Sequence, residues 1–444
     1  MIPEQRPTAP DRGEGGRPDP ELPDPVALGD VDFFDPAFNR CPYGAYRTLR
    51  EEAPAWFDER TRMWVLTRHE DVLAAARDPK RFSSAIPRGR GTPERDRIQR
   101  MYREQGWVPG RTLGGRDDPE HKEMRALFSH AFRPSRVKQL EPTIDRLAAE
   151  LLDDCLASVE STGSCDWVRQ FAVPLPLLVI GIQMGADPDD IWRIKGWTDA
   201  WVQRLGMMQT PEEVEWSTAM EIEAQHYFQP IFDRLRAEPD DSLLSDLVNT
   251  EIPEWGRTLT DEELHAEMMA DTFVGGSETT TNALSQAVKL LVEHPEQWAL
   301  LRSDPEHYLP ILAEEVVRIE GPVQMLFRVT TCDVEVGGVT IPEGSVVTLR
   351  WGAANRDDRV FADPDRFDLT RTDVRHHMGF GFGSHFCLGA PLARREIVHG
   401  MKALVERVDE LWFAPGRNDF EIAPNYVLRA LRELHIGMRP ASAR

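Results

Sequence analysis

The stretch Phe380-Gly-Phe-Gly-Ser-His-Phe-Cys-Leu-Gly389 constrains the chain most. One cysteine, Cys387, closes a glycine-punctuated loop, and a helical pattern opens directly behind it at Ala390, Pro391 and Leu392. Gly381 and Gly383 admit backbone turns closed to other residues and let a flat object approach the chain. Pro391 falls in the first helical turn, where its missing N–H costs nothing. A cysteine just before a helix N-terminus faces free N–H groups and the positive end of the dipole, which favours its thiolate. A thiolate held in a shallow backbone cradle suits an axial metal ligand, and haem iron is the leading candidate. The plainer alternative is a buried structural cysteine in a Gly-rich turn.

Other patterns bear on that choice. Thr260-Asp261-Glu262-Glu263 reads as a helix start, and the helix can run without proline to His294, before Pro295. Inside it, Gly275 and Gly276 cost roughly 1 kcal/mol each against Ala. They call for a reason: a groove for a flat group, or a close helix–helix contact. The acid and alcohol that follow, Glu278 and Thr279, can relay and hold protons at that break. Glu315 and Arg318 stand at i and i+3 and can pair, although bare pairs of this kind are usually surface contacts of little worth. His121 and Arg125 share a helical face, suited either to a carboxylate or to solvent.

The 52 Lys+Arg and 75 Asp+Glu give a formal charge of -23, which argues against a nucleic-acid binder. The five cysteines (Cys41, Cys155, Cys165, Cys332 and Cys387) show no CxxC or zinc spacing, as expected in a reducing compartment. No run approaches the length of a membrane span, and Met1-Ile-Pro-Glu-Gln-Arg-Pro carries no signal pattern. A cytoplasmic protein with no membrane span is expected. Residues 1–30, rich in Pro, Gly and charge, are expected to be disordered. Residues 31–444 then form one domain, mainly α with small β-sheets. Residues 82–115 read as an irregular loop suited to a lid. Pro230 is expected to end or kink a helix spanning 214–235.

Phe380-Gly-x-Gly-x-His385-x-Cys387-x-Gly389 resembles the haem-ligand loop of the cytochrome P-450 family, the haem-thiolate monooxygenases, in its soluble bacterial type. The order His121-x-x-x-Arg125, Gly-Gly helix, Glu315-x-x-Arg318, Pro364-Asp-Arg-Phe and cysteine loop resembles that family over nearly the whole chain. The resemblance implies a P-450-like single large helical domain, with haem b (iron protoporphyrin IX) between the long central helix and the cysteine loop. It makes Cys387 the iron ligand. Gly275, Phe380 and Gly389 would line the haem, and His121, Arg125, Arg328 and His385 would neutralise its propionates. Glu278 and Thr279 take the proton-delivery roles, and Glu315, Arg318 and Arg366 form a buried brace. Substrate contacts implied by position are the 82–115 loop, Asp271, Thr272, Val323, Met325, Leu326 and Tyr426. This mix suits a medium-sized hydrophobic small molecule. Gly275 stands where many members have Ala, and Ser277 replaces a frequent larger residue.

The implied reaction activates O2 with two external electrons and hydroxylates, or otherwise oxidises, the substrate. No flavin or nicotinamide fingerprint occurs in the chain. A separate ferredoxin-type donor with an NAD(P)H-dependent reductase is therefore expected, docking on a basic face at Lys122, Arg125, Arg375 and Arg394. The rivals are a peroxide-driven haem-thiolate peroxygenase and a non-catalytic haem sensor. The Glu278-Thr279 relay speaks against both, and the long lid segment against a sensor.

Overall fold

The computed structural model describes residues 24–86 and 93–442. Residues 1–23, most of the segment expected to be disordered, lie outside that range. The rest of it is ordered: Leu28–Asp30 forms a short 3-10 turn, and the Val26 carbonyl accepts the Thr48 hydroxyl at 2.7 Å.

A five-stranded sheet lies at the N-terminal side, in the order Ala55–Asp58, Met63–Leu66, Val346–Leu349, Leu326–Thr330, Phe82–Ser83. Its one parallel pairing, Met63–Leu66 with Val346–Leu349, joins two distant parts of the chain. A tight hairpin, Val334–Val336 with Val339–Ile341, turns on Gly337 and Gly338, both at positive φ, as a two-residue hairpin loop demands. Helices make up the main core, which centres on buried Phe171, Phe228, Phe273, Leu284 and Leu404.

A helical run from Asp261 to Glu293 passes through that core. A reciprocal capping box between Thr260 and Glu263 starts it. It is α-helical over Asp261–Glu267, π-helical over Met268–Glu278 and α-helical again over Thr279–Glu293. The widened segment holds both glycines. The Ser277 hydroxyl bonds the Phe273 carbonyl at 2.7 Å and the Thr279 hydroxyl bonds the Gly275 carbonyl at 2.9 Å, each four residues back. π-segments of this kind are rare and mark functional sites in many helices.

Helix Pro211–Ala237 continues past Pro230, which therefore does not end it. Another expectation fails outright. The 82–115 stretch is not an irregular loop, because Pro93–Gln105 is a helix of thirteen residues. That helix buries Ile98 and Tyr102, at i and i+4, against Ile222 and leaves its charged face outward. Residues 87–92 of the stretch lie outside the described residues. Among the described residues no helix is long and apolar enough to cross a membrane.

Candidate active site

The cysteine loop has the turns its glycines promise. Gly381 and Gly383 adopt φ of 70° and 74°, and a Cβ on Gly383 would meet the Ala76 carbonyl oxygen at 2.5 Å. The Cys387 amide donates to the Phe380 carbonyl at 2.8 Å, and the helix Ala390–Arg407 begins three residues later. Burial pushes the Cys387 thiol up. The amides of Gly389 and Ala390, then Arg125 and Arg394, pull the other way without winning. The helix terminus alone therefore does not make the thiolate that its sequence position suggests. A metal cation bound to the sulfur would supply the missing stabilisation.

Four donors gather beside this loop. His121 is buried and its ring lies 4.0 Å from that of His385. The His121 Nδ1 meets Asp118 at 3.3 Å, while its Nε2 is buried with no partner. Arg125 Nη2 donates to the Phe386 carbonyl at 2.6 Å. Arg328 is buried, and its guanidinium donates to the carbonyl of its own neighbour, Phe327, at 2.7 Å. Burial pushes Arg328 down to about 10, with Asp117 opposing. Burial and the charges of His121 and Arg328 push His385 down to about 3. Burial likewise lowers His121 and Arg125. Crowded donors of one sign, one of them orphaned, fit an anionic group such as a pair of carboxylates. Together with the sulfur, this set fits a haem and its propionates.

The central run has one open face. Asp271 and Gly275 are exposed and Thr279 half-buried, whereas Thr272, Phe273, Val274 and Ser277 are buried. Residues four apart share a helix face, so Asp271, Gly275 and Thr279 lie along one face of the run. A Cβ on Gly275 would meet only the Ala270 carbonyl oxygen, at 3.8 Å. Glu278 turns away from the groove. It accepts from Thr198 at 2.8 Å and from Lys195 at 3.1 and 3.3 Å. Lys195 also pairs with Asp199, whose side chain is 52% exposed.

The brace differs from expectation in one member. Arg318 and Glu315, both fully buried, pair at 2.7 and 2.8 Å. The third side chain is Arg371, whose Nε meets Glu315 at 3.3 Å. Arg366 offers only its backbone carbonyl to Arg318 and Arg371, and its side chain reaches Asp368 at 3.8 Å. The loop that carries both arginines folds back so that the later one enters.

The family model described as cytochrome P450 matches residues 216–409. Cytochrome P450 107B1 of Saccharopolyspora erythraea is 36% identical over 425 residues, 94% of this chain and 98% of that one. The chain belongs to the cytochrome P450 family. The steroid C26-monooxygenase of Mycobacterium tuberculosis is 31% identical over 421 residues, 95% of this chain and 98% of that one. Among solved structures, cytochrome P450 CYP109Q5 from Chondromyces apiculatus superposes with a TM-score of 0.79 at 31% identity, covering 94% and 100% of the two chains. This P450 is therefore a haem b monooxygenase of a small molecule, served by O2 and a redox partner.

Within the P450, the substrate positions inferred from sequence separate into two groups. Asp271 and Leu326 are exposed, and Val323 is half-buried. Met325 and Tyr426 are instead sealed in an aromatic core with Phe33 and Tyr46, and Thr272 is buried on the far side of the central run. These three are buried, so they offer a ligand little surface. Lys195, Thr198 and Arg371 were missed. Their partners lie on other elements, and no local spacing signals such pairs.

Proposed function

We propose that Cys387 is the axial ligand of the haem, that His121, Arg125, Arg328 and His385 hold its propionates, and that Gly275, Phe380 and Gly389 face the macrocycle. The crowding of those four donors, with no carboxylate hydrogen-bonded to Arg328 or to His121 Nε2 among the described residues, carries the assignment. When bound, thiolate-ligated haem supplies the activation of O2 and the insertion of one oxygen atom.

The chain's own residues then manage protons and pose. Asp199, Lys195 and Glu278 form a continuous ionic path from the surface to the central run. Glu278 closes that path at its inner end, where Thr198 and Lys195 fix its carboxylate. Thr279 donates its own hydroxyl proton to the Gly275 carbonyl. Its oxygen therefore stays free to accept a hydrogen bond from water on the groove side.

The substrate is a medium-sized, mainly hydrophobic molecule, with Leu326 and Val323 supplying apolar wall. Electrons come from a ferredoxin-type donor with an NAD(P)H-dependent reductase. Lys122 and Arg375 are exposed and available for docking. Arg394 is committed to Glu314 at 2.5 and 3.0 Å, and Arg125 to Phe386, so neither is a free docking charge.

The test is turnover of haem-loaded protein on compounds selected by their shift of the Soret band. Product formation should depend on ferredoxin, reductase and NAD(P)H. Turnover driven by peroxide, with no gain from ferredoxin, overturns the electron supply. Arg328→Met should lower haem retention, and unchanged retention overturns the propionate assignment.

A further inference from the structure

Asp271 is a carboxylate on the open face of the central run, one helical turn before Gly275, and its surroundings fix both its position and its charge. Its Oδ2 accepts the Gly114 amide at 3.0 Å, and the Thr112 hydroxyl and the Glu267 carboxyl also reach it. A Cβ on Gly114 would already stand 3.4 Å from that oxygen, so the turn Leu113–Gly115 closes directly over the group. A carboxylate offers about four acceptor positions. The three contacts leave room for one more, on the exposed side.

The group beneath it explains where the charge resides. Glu267 is 1% exposed, its Oε1 accepts the Leu113 amide at 2.5 Å, and its Oε2 has no donor. Two facing carboxylates resolve this by sharing one proton. Burial pushes Glu267 well up, so that proton belongs on Glu267, which donates to Asp271. Burial raises Asp271 as well, but the Gly114 amide, the Thr112 hydroxyl and Glu267 oppose it, so the one negative charge that remains sits on Asp271. Among the described residues no Lys, Arg or His pairs with Asp271. Arg116, on the neighbouring turn, is committed to Glu120 at 2.8 Å and Glu263 at 3.0 Å. An anion held by the fold with no counter-cation is costly until a ligand brings one.

We propose that Asp271 selects substrates carrying a cationic ammonium group on an otherwise hydrophobic body, the carboxylate seating the charge about one helical turn from Gly275. This rests on the reading that the groove beside Cys387 is the substrate cavity.

The experiment uses haem-loaded full-length protein and a matched pair of probes. Benzyltrimethylammonium and neopentylbenzene share one shape and differ in charge, and a quaternary nitrogen has no lone pair to bind iron. Soret titrations are made at about pH 8, where an ordinary carboxylate is ionised. Asp271→Asn should weaken the ammonium probe by about tenfold or more and leave neopentylbenzene within about twofold. Glu267→Gln should preserve the preference, because its amide N–H replaces the carboxyl proton as donor to Asp271. Equal loss of both probes in Asp271→Asn, or loss of neither, overturns the proposal. So does a wild type that takes neopentylbenzene and refuses the cation. The reduced carbon monoxide spectrum is read in every sample. A wild type without the thiolate signature strikes the parent reading of the groove instead, and leaves the charge preference to be judged by direct probe binding, for instance by calorimetry.

Discussion

Two ion-pair groups brace the region of the cysteine loop, one of them fully buried. Glu315 holds Arg318 and Arg371, while Arg318 spends its remaining donors on the carbonyls of Asn355, Pro364 and Arg366. Glu314 joins His377 and Arg394, which overcome its burial and hold its carboxyl at about 2. The opposite wall is held by sparser contacts. Tyr102 of helix Pro93–Gln105 donates to Glu221 at 2.7 Å and accepts from Arg204 at 2.9 Å. Gln225 bonds both the amide and the carbonyl of Trp107, each at 2.9 Å. The Arg204 Nε there is buried without a partner. The first wall is over-determined, as a site that must hold a ligand atom in place requires. The second joins its elements through a small apolar cluster, two ion pairs and a few hydrogen bonds, contacts that a wall opening to substrate could part and re-form.

The largest effect tests the first wall at its centre. Cys387→Ser should abolish the thiolate haem spectrum and the oxygenation while circular dichroism shows the fold retained. Retention of both sinks the ligand assignment. Next comes the brace. Arg371→Met leaves part of the Glu315 charge uncompensated in the core and should cost about 3–5 kcal/mol. Arg366→Met removes a half-exposed side chain and should cost about 1 kcal/mol or less. Urea unfolding of the haem-loaded proteins measures both. Equal costs would return Arg366 to the brace.

The two walls also differ in how much of them was legible in the sequence. The cysteine loop, the Gly275-Gly276 break, the His121–Arg125 pair and the Glu315–Arg318 pair each lie within one element, so spacing alone brings their residues together. Arg371 was missed because the third partner is chosen by how a loop folds back, and that loop offers Arg366 five residues earlier. Lys195 meets Glu278 across 83 residues, a pairing that no local pattern encodes. Helix Pro93–Gln105 was hidden by the Pro and Gly residues on both sides of it and by a charged face that left only Ile98, Met101 and Tyr102 as apolar marks.

A pH effect probes the second wall. His265 is buried against Trp107, 4.6 Å between rings, and its Nε2 meets the Gln229 side chain at 2.8 Å. Burial lowers it to about 4, with Asp261 and Asp233 opposing and His226 and Arg236 assisting. The unfolded chain, with an ordinary value of about 6.5, binds that proton first. Its contribution to stability is therefore present above about pH 6.5 and is lost as pH falls toward 4, up to about 3 kcal/mol. His265→Gln should flatten the fall of the thermal midpoint over this window. An unchanged slope means that other groups carry the acid sensitivity.

The smallest effect separates the walls by kinetics. Tyr102→Phe removes one hydroxyl from the contact with Arg204 and Glu221, while the direct Arg204–Glu221 ion pair remains. The loss should be about 1 kcal/mol, too small to release haem. If this wall opens to pass substrate, the lost hydrogen bonds belong to the closed state. Stopped-flow dissociation of a Soret-shifting ligand should then quicken by about fivefold, which is what 1 kcal/mol placed wholly on the closed state produces. Haem retention on heating should stay as it is in the wild type. An unchanged dissociation rate with a lowered unfolding midpoint would mean that the contact supports the fold at large, and that both walls are equally static.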